Sequence, residues 1–227
     1  MKNNDMSVYI MSKTEDAEWV CEFAAASCVG ANPDPAGFKH LLKSAIASCH
    51  DSVLEHASFT FRILNISRVT LAQLTRHRIA SFSVLSQRYT NVNGDDPVVL
   101  PDADYSESAK SAYDEYNRLI QSGESGENAR YILPEGTKTS LVMTMNAREL
   151  RHFFALRCCE RAQWEIRQLA NEMLTICKKH APLLFENAGP SCVALGYCPE
   201  KRGCGKAPKL SDLKAAYEKE TKKNDDE

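Results

Sequence analysis

Gln73–Tyr89 reads QLTRHRIASFSVLSQRY. These 17 residues hold three arginines (Arg76, Arg78, Arg88), one histidine (His77) and three serines (Ser81, Ser83, Ser86). The surrounding span is also one-signed. From His56 to Gly94 there is no Asp, Glu or Lys, yet there are five arginines, Arg62, Arg68, Arg76, Arg78 and Arg88. The whole chain has a net charge of -2, so the segregation is local. A guanidinium is a planar, permanently charged fork that matches phosphate or a base edge. Hydroxyls and backbone amides can complete such an anion site. Two readings stand here: a pocket for a phosphorylated, nucleotide-like ligand, and a basic helix face balanced by acids elsewhere.

Immediately upstream, Phe59 to Ile66 alternates. Phe59, Phe61 and Ile63 share one face and Thr60, Arg62 and Leu64 the other, which predicts a strand with one face on the core. Ser67 or Asn65 is placed to cap the next helix, whose apolar members are Val69, Leu71, Ala72 and Leu74. Gln73, Arg76 and His77 follow at i, i+3 and i+4 and so are expected on one helical face. Arg76 and Arg78 near a helix C-terminus also suit its dipole. Ser81 to Tyr89 is expected to leave helix as an irregular loop, a usual place for a binding site.

Further out, Val8 to Met11 reads as a short strand and Glu15 to Cys28 as a helix. Asp34 or Pro35 is placed to start a helix over residues 37–48, with Phe38, Leu41, Leu42 and Ile46 at helical spacing. His50, Ser52, Glu55 and His56 then join helix to strand. Downstream, residues 91–104 form a loop containing NGDDP. Residues 109–121 and 127–133 read as helices, the second ended by Pro134. Leu141, Met143 and Met145 alternate with Val142 and Thr144 as another strand. NARELRHFFALRCCERAQWEIRQLANEML follows, with Ile166, Leu169, Ala170 and Met173 as an apolar stripe. Arg157, Arg161 and Glu165 step by four, so an intrahelical ion pair is the purely structural reading of Arg161.

Composition sets the class. The chain has 227 residues, 43% hydrophobic and 26% charged, as in globular soluble proteins. No signal-peptide pattern and no membrane-length apolar run is seen, so a cytoplasmic location is expected. Nine cysteines read as mostly reduced thiols. Cys192, Cys198 and Cys204 are each separated by five residues, and Cys158-Cys159 is a vicinal pair. Thiols of this kind can hold zinc, but the spacing is not a paired C-x-x-C ribbon, and no metal is assigned. Residues 1–207 are read as one domain, with 187–207 a cysteine-bearing extension. Residues 208–227 are read as a charged helix with a frayed tail over the last nine.

The order of these residues resembles a known family. Arg-His-Arg, seven residues, Ser86, then Arg88-Tyr89 is similar to the signature of the flavin-dependent thymidylate synthases (ThyX). His50, Ser52, Glu55 and His56 match the lead-in to that family's flavin site. Residues 129–134 resemble its Ala-Arg-x-x-Leu-Pro. Asn146, Arg148, Leu156, Arg157, Ala162, Gln163, Glu165, Ile166 and Arg167 match its second block. The likeness runs from about His50 to Pro182.

That resemblance implies an α+β fold, helices packed on a small mostly antiparallel sheet, and a homotetramer with active sites at subunit interfaces. It implies reductive methylation of dUMP to dTMP, with methylenetetrahydrofolate as carbon donor and FAD, reduced by NADPH, as hydride source. His50, Ser52, Arg76, His77, Arg78, Arg157 and Arg161 would hold FAD. Gln73, Arg76, Ser86, Gln87, Arg88 and Arg167 would hold dUMP, and Arg167 would stabilise the ionised uracil as the catalytic group. Four positions depart from the family pattern, one of them Arg161, which stands where His or Asn is frequent. Ser83 and Val84 stand where Asn and Glu are common, and Ser140 where Arg is common, with Lys138 two residues before it. A flavoprotein of altered chemistry and a nucleic-acid-binding module therefore remain as alternatives. The slightly acidic net charge argues against the second, and no nucleic-acid or membrane partner is expected.

Overall fold

A computed structural model describes residues 5–34, 36, 39–91, 97–101 and 103–225. Its contacts cluster in two compact units, residues up to 15 with 58–146, and residues 16–57 with 147 onward.

The first unit is built on alternating sequence. β1 (Ser7–Lys13), β2 (Ser58–Ser67), β3 (Ala80–Val84) and β4 (Lys138–Asn146) form one sheet in the order β1-β2-β4-β3. Every pairing in it is antiparallel. Phe59, Phe61 and Ile63 of β2 lie opposite Met145, Met143 and Leu141 of β4, and all six are at most 3% exposed. The register then shifts between Ile63 and Ile66. Asn65 takes a left-handed conformation there, φ 59°. One extra residue in a strand flips the faces that follow, so Ile66 and Ser67 are both buried. Phe61 is fully buried, and Phe61→Ala is expected to destabilise the fold by about 3–5 kcal/mol, measured by urea unfolding.

Ser67 caps the helix that leads to the charged segment. Its Oγ accepts from Thr70 N at 3.0 Å, starting α3 (Arg68–Leu74). Leu71 and Leu74 are buried, while Val69 is 38% exposed. The helix ends at Leu74, so Arg76 and His77 lie in the turn beyond it rather than on one helical face with Gln73. Thr75 helps end it, since its hydroxyl donates back to Leu71 O at 3.1 Å. Such back-bonding competes with continued helix.

The serine-rich stretch is not wholly a loop. Ala80–Val84 is β3, an edge strand on β4. Ala-Ser-Phe-Ser-Val alternates apolar and hydroxyl residues, a strand period that the serine content masks. The irregular part begins at Leu85. α4 (Ser106–Gln121), α5 (Gly126–Ala129) and a 3-10 turn (Arg130–Ile132) complete this unit. The NGDD of the preceding loop lies outside the described residues.

In the second unit α1 (Ala17–Cys28) and α2 (His40–Ala47) are joined by an ionic cap. The buried carboxylate of Glu22 accepts from Leu41 N and Leu42 N, at 3.3 and 2.6 Å. Acid at a helix N-terminus satisfies free N–H groups and suits the dipole. α2 starts at His40, later than expected; Pro35, Gly37 and Phe38 lie outside the described residues. α6 (Ala147–Arg157) and α7 (Trp164–His180) supply the core through Phe153, Phe154, Ile166, Leu169, Ala170 and Met173, all fully buried. Phe154 meets Phe185 edge-on at 5.9 Å. α8 (Ser191–Leu195) and α9 (Leu210–Asp225) follow. α9 is helical through Asp225, well past the point where fraying was expected, in sequence rich in Lys, Glu and Ala. Among the described residues no helix is long and apolar enough to cross a membrane.

Candidate active site

The candidate residues fall into two groups, one in each unit. In the first, the turn after α3 puts alternate side chains on opposite sides. His77 is buried at 4% exposure, between the exposed Arg76 and Arg78. The His77 N–H donates to Leu74 O at 3.1 Å, which fixes the turn. Neither Arg76 nor Arg78 has a side-chain hydrogen bond or carboxylate partner among the described residues. An unneutralised guanidinium pair held on a buried anchor is an anion site in the making. Gln73 is half-buried, and its amide donates to Val69 O at 3.3 Å.

A second turn follows β3. The Ser86 hydroxyl accepts from Arg88 N at 3.2 Å, and Ser86 O accepts from Thr90 N at 3.1 Å. Gly126 backs this turn: a Cβ there would stand 3.3 Å from Gln87 O. Gln87 is 7% exposed, and its Nε2 has no hydrogen-bond partner among the described residues. A buried donor left without an acceptor costs about 1–3 kcal/mol, so it marks a place where an acceptor is wanted. Gln87 lines a cavity of about 360 Å³ together with Arg68, Arg130, Tyr131 and Glu135. Arg68 and Arg130 were not singled out as site residues from sequence; an acid-free span around Arg68 was the available signal. Arg88 is held at 2.9 Å from Glu127 and lies 5.4 Å above the Tyr89 ring.

The positions that depart from the family are also placed. Ser83 and Val84 are exposed on β3. Ser140 lies on β4, where its Oγ accepts from Asn65 N at 3.4 Å. The Lys138 ammonium is 3.0 Å from Asp5, so its charge is already matched.

In the second group, α2 ends in a motif that delivers His50. Cys49 sits in the left-handed region, φ 57°, and His50 N donates to Ala45 O at 2.8 Å. That is a Schellman end with a non-glycine residue, strained by about 1–2 kcal/mol. Ser52 and His56 sit on the 3-10 turn Asp51–His56 and line a groove of about 710 Å³ with Trp19 and Phe23. Glu55 of this turn pairs with Arg148 of α6. Two separate blocks of the motif are thus bound together.

Between α6 and α7 the helix is broken, so Arg157, Arg161 and Glu165 do not step along one helix. Arg161 pairs instead with Glu200 at 2.9 Å, and Glu165 is buried. Gln163 starts the second helix: its Oε1 accepts from Glu165 N and Ile166 N at 3.0 and 3.1 Å and caps α7. Arg167, one turn into α7, donates through Nη1 to the carbonyl and to Oε2 of Glu160, each at 2.8 Å. Arg157, Arg161, Cys158 and Cys159 face Cys192, Cys198 and Cys204 across a cavity of about 550 Å³. All nine cysteines are free thiols. Burial pushes the Cys21 and Cys158 thiols up to about 12, and raises Cys177 as well. These three are protonated and unreactive at neutral pH.

Residues 9–183 match the family model described as thymidylate synthase complementing protein. The chain belongs to this family. Among its relatives, the flavin-dependent thymidylate synthase of Geobacter sulfurreducens is 44% identical, over 92% of this chain and 97% of that protein. The one from Clostridium tetani is 36% identical, over 93% of this chain and 98% of that protein. The crystal structure of ThyX from Helicobacter pylori with FAD and dUMP superposes with a TM-score of 0.72 at 28% identity. It covers 81% of this chain and 98% of its own. The α+β architecture with a small antiparallel sheet is therefore that of the family.

Proposed function

We propose that the chain converts dUMP to dTMP as a flavin-dependent thymidylate synthase. Methylenetetrahydrofolate is the carbon donor and FAD, reduced by NADPH, supplies the hydride. The observation that carries this reading is likeness along nearly the whole chain to flavin-dependent thymidylate synthases. The guanidiniums of Arg76 and Arg78, unmatched among the described residues, support it, because they fit a diphosphate-bearing cofactor.

The residues divide the labour. Arg76, His77 and Arg78, with His50, Ser52, Arg157 and Arg161, hold FAD. Gln73, Arg76, Ser86, Gln87 and Arg88 hold dUMP, and the free Gln87 amide offers its donor to the nucleotide. Arg167 faces the uracil carbonyl and ring nitrogen 3. A cation there favours loss of the N3 proton and places electron density toward carbon 5, the atom to be methylated. Methylation at carbon 5 then needs no thiol nucleophile, which accords with protonated, buried Cys21, Cys158 and Cys177.

The active enzyme is a homotetramer with interfacial sites, in the cytoplasm. Ile79, Leu85, Tyr89 and Tyr131 are 65, 49, 82 and 84% exposed. Such large apolar side chains close to the candidate residues in sequence suit burial by another copy of the chain. Residues 1–207 then act as one catalytic domain.

Absorbance spectroscopy tests ligand recognition. Purified protein is expected to carry a bound flavin spectrum that changes when dUMP is added. A protein that takes up no flavin, and binds nucleic acid in a salt-dependent way, would overturn the reading.

A further inference from the structure

The C-terminal segment reaches Glu160, the residue that pairs with Arg167. Residues 191–218 contain no buried side chain, so no apolar core holds the segment. Ion pairs and a hydrogen bond from Ser191 Oγ to Ala155 O at 3.3 Å tie it to α6 and the stretch after it. Glu200 pairs with Arg161 at 2.9 Å. Lys206 pairs with Glu160 Oε1 at 2.9 Å, while Glu160 Oε2 accepts from Arg167. Cys198 is bridged to Lys209 in the backbone. Glu160, Arg161, Glu200 and Lys206 all line the cavity between this segment and the end of α6.

We propose that Glu160 and Lys206 are positioning residues for Arg167, acting as one charge-balanced unit. This rests on Arg167 being the group that stabilises ionised uracil. Glu160 grips a single nitrogen, Nη1, with two acceptors, its carbonyl and its carboxylate. Both acceptors on one nitrogen fix the direction of the guanidinium and leave Nη2 and Nε to face a ligand. The grip carries a penalty, because a carboxylate beside Arg167 cancels the positive charge that the uracil anion requires. Lys206 offsets it. The triad of Arg167, Glu160 and Lys206 then holds a net single positive charge. Lys206 and Arg167 also hold the Glu160 carboxyl below its ordinary value, so the grip stays ionised at neutral pH.

Orientation and charge are separable, and a mutant cycle reads both. Lys206→Ala leaves the Arg167–Glu160 pair uncompensated. It is expected to lower kcat roughly tenfold, a unit charge at several ångströms acting through an effective dielectric between protein and water. The KM for dUMP and the flavin content should stay near wild type, and Lys206→Arg should restore turnover. Glu160→Gln in the Lys206→Ala background removes the uncompensated charge and keeps an acceptor for Nη1. The double variant should therefore recover most of the lost kcat. Equal or additive losses in the double variant would overturn the proposal, since that is the pattern of a merely structural role. Wild-type kcat in Lys206→Ala would overturn it too. Arg167→Ala is measured alongside. If that variant turns over normally, the underlying role of Arg167 falls and the proposal with it. If Arg167→Ala is dead while the cycle is additive, only the proposal falls.

Discussion

Arg167→Ala is expected to abolish thymidylate formation while FAD stays bound. Arg167 follows the fully buried Ile166 on α7 and stands at the edge of the packed stripe. The side chain is 29% exposed, so removing it leaves the core intact. Its partner, Glu160, is 42% exposed and can return to water or to Lys206. Folding stability should therefore change little. Turnover should not survive, because a pre-oriented cation over a developing anion is worth roughly 10²–10³ in kcat. Flavin content, measured by absorbance on the purified variant, should match wild type. Unchanged turnover would end the assigned role. Loss of flavin together with turnover would move Arg167 from chemistry to cofactor binding.

Arg78→Ala is expected to lose flavin. The guanidinium of Arg78 is exposed and has no carboxylate partner among the described residues, so no internal ion pair explains it. The neighbouring His77 is buried and anchors the turn, so truncation at Arg78 should leave the backbone where it is. A charge-assisted hydrogen bond to a phosphate is worth about 1.5–3 kcal/mol, which weakens FAD binding by roughly tenfold to a hundredfold. The variant should purify nearly colourless, fold normally and recover some turnover at high added FAD. A variant that purifies with its full complement of flavin would contradict this.

Much of this was legible in the sequence, for reasons that differ by element. Phe59, Phe61 and Ile63, and Leu141, Met143 and Met145, alternate cleanly, and the structure pairs them face to face. The stripe of Ile166, Leu169, Ala170 and Met173 is buried as its spacing required. Ser67 caps α3 as one of the two candidates proposed. What failed was mostly long-range or hidden by composition. Ala80–Val84 was masked by its serines, because an edge strand needs only one partner and little burial. α3 ends earlier than its periodicity suggests, since the Thr75 back-bond to Leu71 is a local competition that periodicity does not register. Spacing offers Glu165 as an intrahelical partner for Arg161, but the helix stops at Arg157 and restarts after Gln163, and Glu200, 39 residues on, takes the pair. The site residues themselves were visible through motif order. Arg68 and Arg130 were not, because a cavity joins residues that no sequence spacing connects.

Whether this chain carries out the whole reaction is decided by anaerobic conversion of dUMP to dTMP by the purified protein, with FAD, NADPH and methylenetetrahydrofolate. Each component is omitted in turn. dTMP is expected in the complete mixture, and none when dUMP, NADPH or methylenetetrahydrofolate is left out, or when FAD is left out after the bound flavin has been stripped. No dTMP from protein that still binds FAD and dUMP would contradict the proposed reaction. That result would point to a flavoprotein whose chemistry was altered at Ser83, Val84 and Ser140.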